Sequence, residues 1–236
     1  MRSCLGTLVC VVVAIFLTAP RSWAQLSGGA LFEIGSATST VGDDKGDPAP
    51  MYGMGIGAAY TFWSQRAIGL VVGADLLVRG FAINLPGRFE SDAGVFDQSD
   101  MSLDQYIAAK FGKFTGGVYF EQRRINRGTA LGKIGFPVTG IGLIVRAAID
   151  KGGRAEVRFS YASFTAGELQ LQGLDAKSPL GTGRSIRIAV HYRFATRWRV
   201  RAEYADTTVE FEPIEPTFAF LDHRMSLASV GLVLTF

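Results

Sequence analysis

The sequence predicts an all-β chain: a transmembrane, antiparallel, up-and-down β-barrel of about ten strands, with eight as the alternative, behind an N-terminal signal peptide. Three observations predict it. Apolar residues recur at every second position over long stretches, the period of a strand with one apolar face. Gly (29) and Phe (17) are abundant among 236 residues while only 19% are charged, a composition of strands with close backbone approaches rather than of a helical bundle. The stretches are joined by connections that alternate between long and short.

Residues 1–24 form a separate segment. Arg2 supplies a positive start, Leu8 to Leu17 is an apolar run, Pro20 breaks it, and Ala24 offers a small residue before Gln25. This is the pattern of a secretory signal peptide cleaved before Gln25. The run is far short of the roughly 20 apolar residues of a transmembrane helix. The expected domains are therefore 1–24, signal peptide, and 25–236, barrel. Cys4 and Cys10 leave with the signal, so the mature chain is no disulfide scaffold. Arg2 and Arg21 leave as well, which brings 24 basic residues close to the 21 acidic ones. Near-neutrality removes the electrostatic argument for a nucleic-acid partner.

The strands follow in order. The first, 26–39, sets Phe32 and Ile34 against Glu33. Residues 52–63 alternate Tyr52, Met54, Ile56, Ala58, Tyr60 and Phe62 with a nearly bare face of Gly53, Gly55 and Gly57. Residues 67–80 set Ile68, Leu70, Val72, Leu76 and Val78 against Asp75 and Arg79. Residues 101–111 set Met101, Leu103, Ile107 and Phe111 against Asp104, Tyr106 and Lys110. Residues 114–124 set Phe114, Val118 and Phe120 against Glu121 and Arg123. Then come Ile141, Leu143 and Val145 against Arg146, and Val157, Phe159 and Tyr161 against Glu156 and Arg158. The next two set Ile186, Ile188, Val190 and Tyr192 against Arg187, His191 and Arg193, and Trp198, Val200 and Tyr204 against Arg199, Arg201 and Glu203. The last spans about 224–236.

The joins near 64–66, 113, 150–153 and 195–197 are short. Those near 40–51, 81–100, 125–136, 166–184 and 208–222 are long and polar. Tight turns at one end and long loops at the other are the form of an even-stranded membrane barrel with both termini on the turn side. A soluble barrel or sandwich also alternates, but its apolar face points inward. Acids and bases two residues apart on one face, such as Glu156 with Arg158 and Arg201 with Glu203, suit a narrow lumen where they pair across the interior. Tracing the strands up and down also gathers Tyr60, Phe62, Phe111, Phe114, Tyr192, Phe194, Trp198 and Phe236 at the turn end, where a membrane interface favours aromatic rings.

With its signal peptide, alternating strands and terminal "VGLVLTF", the chain resembles the small outer-membrane β-barrel proteins of Gram-negative bacteria, the OmpA, OmpX and opacity types. The resemblance covers the whole mature chain and is architectural; its one local motif is Val230, Leu232, Leu234 and Phe236. It implies residence in the outer membrane among outer-membrane lipid. It also implies that the barrel-assembly machinery reads the last strand through those four residues. The expected state is a monomer, with an unidentified extracellular partner for the loops and no nucleic acid. The count of ten strands departs from the shorter eight-stranded members.

The polar faces assign Asp75, Arg79, Asp104, Lys110, Glu121, Arg123, Arg146, Glu156, Arg158, Arg187, Arg193, Arg199, Arg201 and Glu203 to a lumen charge network. No catalytic, cofactor or metal site is expected. His191 reads as part of the network. His223, in "LDHRMS", reads as a polar rim, because its neighbour Asp222 points to the opposite face and cannot orient it. The acidic segments 42–47 and 90–100 lack the spacing of a Ca²⁺ loop. Gly53, Gly55 and Gly57 read as room for long side chains from other strands. The expected role is structural or surface-interacting through the long loops. A narrow porin-like channel is the alternative, and a membrane-embedded hydrolase using His223 the second alternative.

Overall fold

The computed structural model describes residues 25–41, 44–65, 68–81, 98–129, 132–171, 176–212 and 222–236. The expected signal peptide lies outside them. The strands are β1 (Gln25–Val41), the two-residue β2 (Asp44–Lys45), β3 (Ala49–Gln65), β4 (Ile68–Phe81), β5 (Gln98–Phe111), β6 (Phe114–Thr129), β7 (Gly132–Ala148), β8 (Ala155–Leu171), β9 (Ala176–Arg193), β10 (Trp198–Phe211) and β11 (Asp222–Thr235). Each long strand pairs antiparallel with its sequence neighbour, and β11 pairs with β1 from Gly29↔Thr235 to Val41↔His223. The ten long strands thus form a closed ring with no free edge, the arrangement that satisfies every ladder in a medium without water. The short β2 only pairs antiparallel with the end of β1, through Thr40↔Lys45 and Val41↔Asp44.

The outside of the ring is apolar. Phe32, Ile34, Met54, Ile56, Ile107, Val118, Leu143, Val190 and Val230 are all exposed, Phe32 at 61% and Leu143 at 60%. Toward the turn end the belt finishes in Phe111, Phe114, Tyr192, Phe194, Trp198 and Phe236, all exposed rings, as the rim reading expects. Tyr60 departs from it: the ring is buried and packs edge-on against Phe62 at 4.5 Å. The tight β5–β6 turn carries Gly112 at φ 59° and the β7–β8 turn Gly153 at φ 64°, backbone conformations that favour glycine.

Toward the loop end the strands run further than the alternation indicated. The 125–136 connection shrinks, because β6 continues to Thr129 and β7 begins at Gly132; β8 reaches Leu171, β9 begins at Ala176, and β5 begins at Gln98. The cause is an inversion of polarity. Above the belt the outward positions become polar, as at Arg124, Asn126, Thr139, Arg184, Asp206 and Arg224. The inward ones become apolar, as at Ile125, Phe136, Val138, Val209, Phe211 and Met225. A strand whose apolar face switches sides looks like a loop to any reading of fixed phase.

Candidate functional site in the barrel lumen

The inward side chains form three tiers. At the loop end an apolar plug is built from Met51, Phe81, Ile125, Phe136, Val138, Phe164, Val209, Phe211, Met225 and Leu227, all buried. Phe136 stacks on Phe211 at 5.4 Å. His223 belongs to this plug rather than to a polar rim. It is 3% exposed, its ring stacks on Phe136 at 5.1 Å, and Nε2 lies 3.1 Å from Ser39 Oγ. Its neighbour Asp222 is exposed on the other face.

Beneath the plug lies a girdle of buried charge. Arg79 Nε donates to Glu33 Oε1 at 2.7 Å, and its other nitrogens face Glu203 and, at 3.6 Å, Asp100. Arg123 donates two bonds to Asp100, at 2.7 and 2.8 Å, and a third to Thr207 Oγ1. Arg187 bridges Asp104 at 2.6 Å and Glu121, and Tyr119 donates to Glu121 at 3.2 Å. Buried guanidinium groups are tolerable only with this density of acceptors.

The girdle has a left and a right. Asp75, Asp104 and Glu121 stand directly opposite one another on β4, β5 and β6, a row of like charges that costs stability if left alone. The basic residues come from the facing wall, and the bonds span the lumen: Arg158 reaches Asp75 at 2.7 Å and Arg187 reaches Asp104. Part of the network is therefore a set of struts across the interior, while Arg123 and Asp100 join the neighbouring β6 and β5. Glycines admit these side chains. A Cβ on Gly53 would lie 2.6 Å from Glu33 Oε1, and one on Gly57 or Gly73 would collide with Asp75 or Tyr106 respectively.

Toward the turn end the lumen opens into a vestibule of about 650 Å³ lined by Asp75, Glu156, Arg146, Arg158, His191, Arg199 and Arg201 among others. The guanidinium of Arg146 lies over the Tyr106 ring, 4.5 Å from its centre, with that of Arg158 at 5.8 Å. Arg201 bonds Glu203 at the vestibule's roof.

Most residues assigned to the lumen from sequence are therefore there. Asp75, Arg79, Asp104, Glu121, Arg123, Arg158, Arg187, Arg201 and Glu203 are joined in ion pairs, while Arg146, Glu156 and Arg199 line the vestibule. Arg193 shares their face at the turn-end margin. Lys110 keeps the inward parity but is exposed, and among the described residues it forms no ion pair, so it stands outside the network. Two acids escaped the sequence reading. Glu33 is signalled only by parity in a Gly-rich strand, and Asp100 lies in the expected 81–100 loop, whose end is the start of β5. Val230, Leu232 and Phe236 point outward in the belt, and Leu234 is half-buried there.

No protein family profile and no curated protein matches the chain. Solved structures similar to it include the outer-membrane protease OmpT from Escherichia coli, at 11% identity, TM-score 0.42, 90% of this chain and 96% of that one. An outer-membrane channel from Pseudomonas putida F1 is similar at 8% identity, TM-score 0.48, 93% and 100%. Neisserial surface protein A is similar at 14%, TM-score 0.36, 90% and 99%. These are likenesses of architecture. What the chain itself shows is a closed ring with an apolar exterior and a polar interior, which is a membrane-spanning barrel. Among the described residues no helix is long and apolar enough to cross a membrane, and a barrel crosses with strands.

Proposed function

We propose that this protein is an integral outer-membrane barrel of Gram-negative type with a structural or surface-interacting role, its long loops facing outward and its turns facing the periplasm. One observation carries the reading: plug and girdle fill the cross-section over the outer half. Arg79, Phe81, Met51, Tyr119, Glu121, Ile125 and Met225 are fully buried side chains projecting from β3, β4, β6 and β11 into one space. A conducting pore needs a continuous water path, and fully buried charge-paired and apolar layers do not favour one. His223 gives a hydrolase little support, since it is enclosed by the plug and stacked on Phe136.

Planar-bilayer recording tests the proposal. The purified barrel is expected to stay at baseline conductance over hundreds of millivolts, while the same preparation shows heat-modifiable migration on a denaturing gel. Reproducible single-channel openings from folded protein would overturn it in favour of the channel.

A further inference from the structure

Among the described residues, the vestibule lining carries five arginines, Arg146, Arg158, Arg197, Arg199 and Arg201, against three acids, Asp75, Asp104 and Glu156. In the girdle every arginine has a carboxylate partner. Below it, Asp75 is taken by Arg158, Asp104 by Arg187, and Arg201 by Glu203. That leaves Arg146, Arg197 and Arg199 on the lining against Glu156. Among the described residues none of these four forms an ion pair, and the Nε–H groups of Arg146, Arg199 and Arg201 are buried without an acceptor. Buried donors without acceptors are costly.

The strand register makes the excess deliberate rather than diffuse. Arg146 stands directly opposite Arg158 across β7–β8, and Arg199 directly opposite Arg193 across β9–β10. Like charges in facing positions are destabilising, and of these four arginines only Arg158 has a carboxylate partner among the described residues. On the facing wall Asp75 and Asp104 line the vestibule, and both are already engaged, by Arg158 and Arg187. Otherwise that wall presents Gly55, Gly57 and Ala59, with no further acid among the described lining residues. Tyr106 holds the Arg146 guanidinium by its ring face, fixing the group without using its N–H donors.

We propose that the vestibule is a binding site for an oxyanion, the phosphate or carboxylate group of a small molecule arriving from the turn end, held by Arg146 and Arg199 with Arg158 and Arg201 alongside. Guanidinium groups match such groups two N–H bonds at a time, and a volume of about 650 Å³ lies in the range of small-molecule sites. The site goes beyond the role proposed above and is separable from it. Channel openings in a bilayer would overturn the closed barrel and leave this site untouched.

The test is calorimetric titration of the folded, detergent-solubilised barrel with inorganic pyrophosphate and, separately, with citrate. Saturable binding of either is expected, weakening with added salt, and the tighter of the two names the group. The R146Q/R199Q variant should bind at least tenfold more weakly, while R124Q, which alters an outward arginine, should bind as the parent does. If the double variant does not give a heat-modifiable band, E156Q takes its place. Removing the one unpaired acid should then tighten binding several-fold. No saturable binding of either probe up to millimolar concentration overturns the proposal. So does equal loss in R124Q and R146Q/R199Q, or an unchanged affinity in E156Q.

Discussion

Gly28 and Phe236 exchange both backbone hydrogen bonds, Gly28 N–H to Phe236 O at 3.1 Å and Phe236 N–H to Gly28 O at 3.0 Å. The Phe236 ring lies so close over Gly28 that a Cβ there would sit 2.7 Å from its Cε2. The ring is nonetheless 80% exposed, so it buries little area and contributes little to the stability of the finished barrel. Phe236→Ala should therefore shift the unfolding free energy by only about 0.5 kcal/mol, as surface substitutions do. We propose that the ring serves assembly, so that in cells the heat-modifiable fraction should drop several-fold. Equal folded yields of parent and variant in cells would show that the ring plays no part in insertion.

Glu33 and Arg79 bond at 2.7 Å with both side chains sealed from solvent. Removing one partner leaves the other charged and enclosed, so Glu33→Ala should cost about 3–5 kcal/mol. The double substitution E33M/R79M should recover much of that loss. Urea unfolding followed by tryptophan fluorescence in lipid vesicles measures both, and a double variant no better than E33A would mean that the pair is not the source of the effect.

On the role proposed above, plug and girdle each seal the barrel. Phe136→Ala with Phe211→Ala removes a stacked pair of rings and should destabilise by several kcal/mol, on the order of 3–5 for each ring. It should leave bilayer conductance at baseline, because the struts below remain. Adding Arg123→Ala, which releases Asp100 and Thr207, should produce openings. Openings from the ring substitutions alone would show that the girdle does not seal.

The upper margin of the belt is set by the inversion of polarity. Leu143, 60% exposed in the belt, and Thr139, four residues nearer the loop end on the same outward face, give a direct comparison. Leu143→Lys should cost roughly 2–4 kcal/mol and Thr139→Lys about 0–1, the depth dependence of a lipid-facing charge. Similar costs at the two positions, in vesicle unfolding experiments, would place the membrane boundary elsewhere.

The β7–β8 turn has its own pH dependence. The backbone N–H groups of Ala155, at 2.9 Å, and Gly152, at 3.2 Å, donate to the Asp150 carboxylate. Bonding to Ala155, Arg154 and Gly152 holds that carboxyl below the usual carboxylate range. A lowered folded pKa stabilises the turn above the unfolded value, near 4, and the contribution is lost as pH falls through the folded one. The protection factor of the Ala155 amide should accordingly fall as pH drops through that lowered value, and should be reduced at all pH values in Asp150→Ala. An Asp150 carboxyl that titrates in the ordinary range by NMR would remove the basis for this.

How much of this was legible in the sequence depended on which face was read. The outward residues of the belt, from Phe32 to Val230, alternate in one phase, and they revealed ten strands, the ring and the inward charges. Asp75, Asp104 and Glu121 were visible as lumen residues because each sat on a clean strand. Their standing side by side, with their partners on the far wall, was not visible, since it depends on register. The plug was missed for one physical reason. Where strands leave the membrane, polar residues turn outward and apolar ones inward, so Phe136, Val138 and Phe211 read as interruptions of a loop.

The plug draws residues from β1, β3, β4, β6, β7, β8, β10 and β11, strands far apart in the chain that meet only around the central axis. A change of volume at Phe81 falls on a cluster whose other members, Met51, Ile125 and Phe136 among them, come from other strands. Inheritance of this seal is accordingly collective. In related chains, enlargement at one plug position should be accompanied by reduction at another dozens of residues away, while the outward belt residues drift independently, each free to exchange one apolar side chain for another.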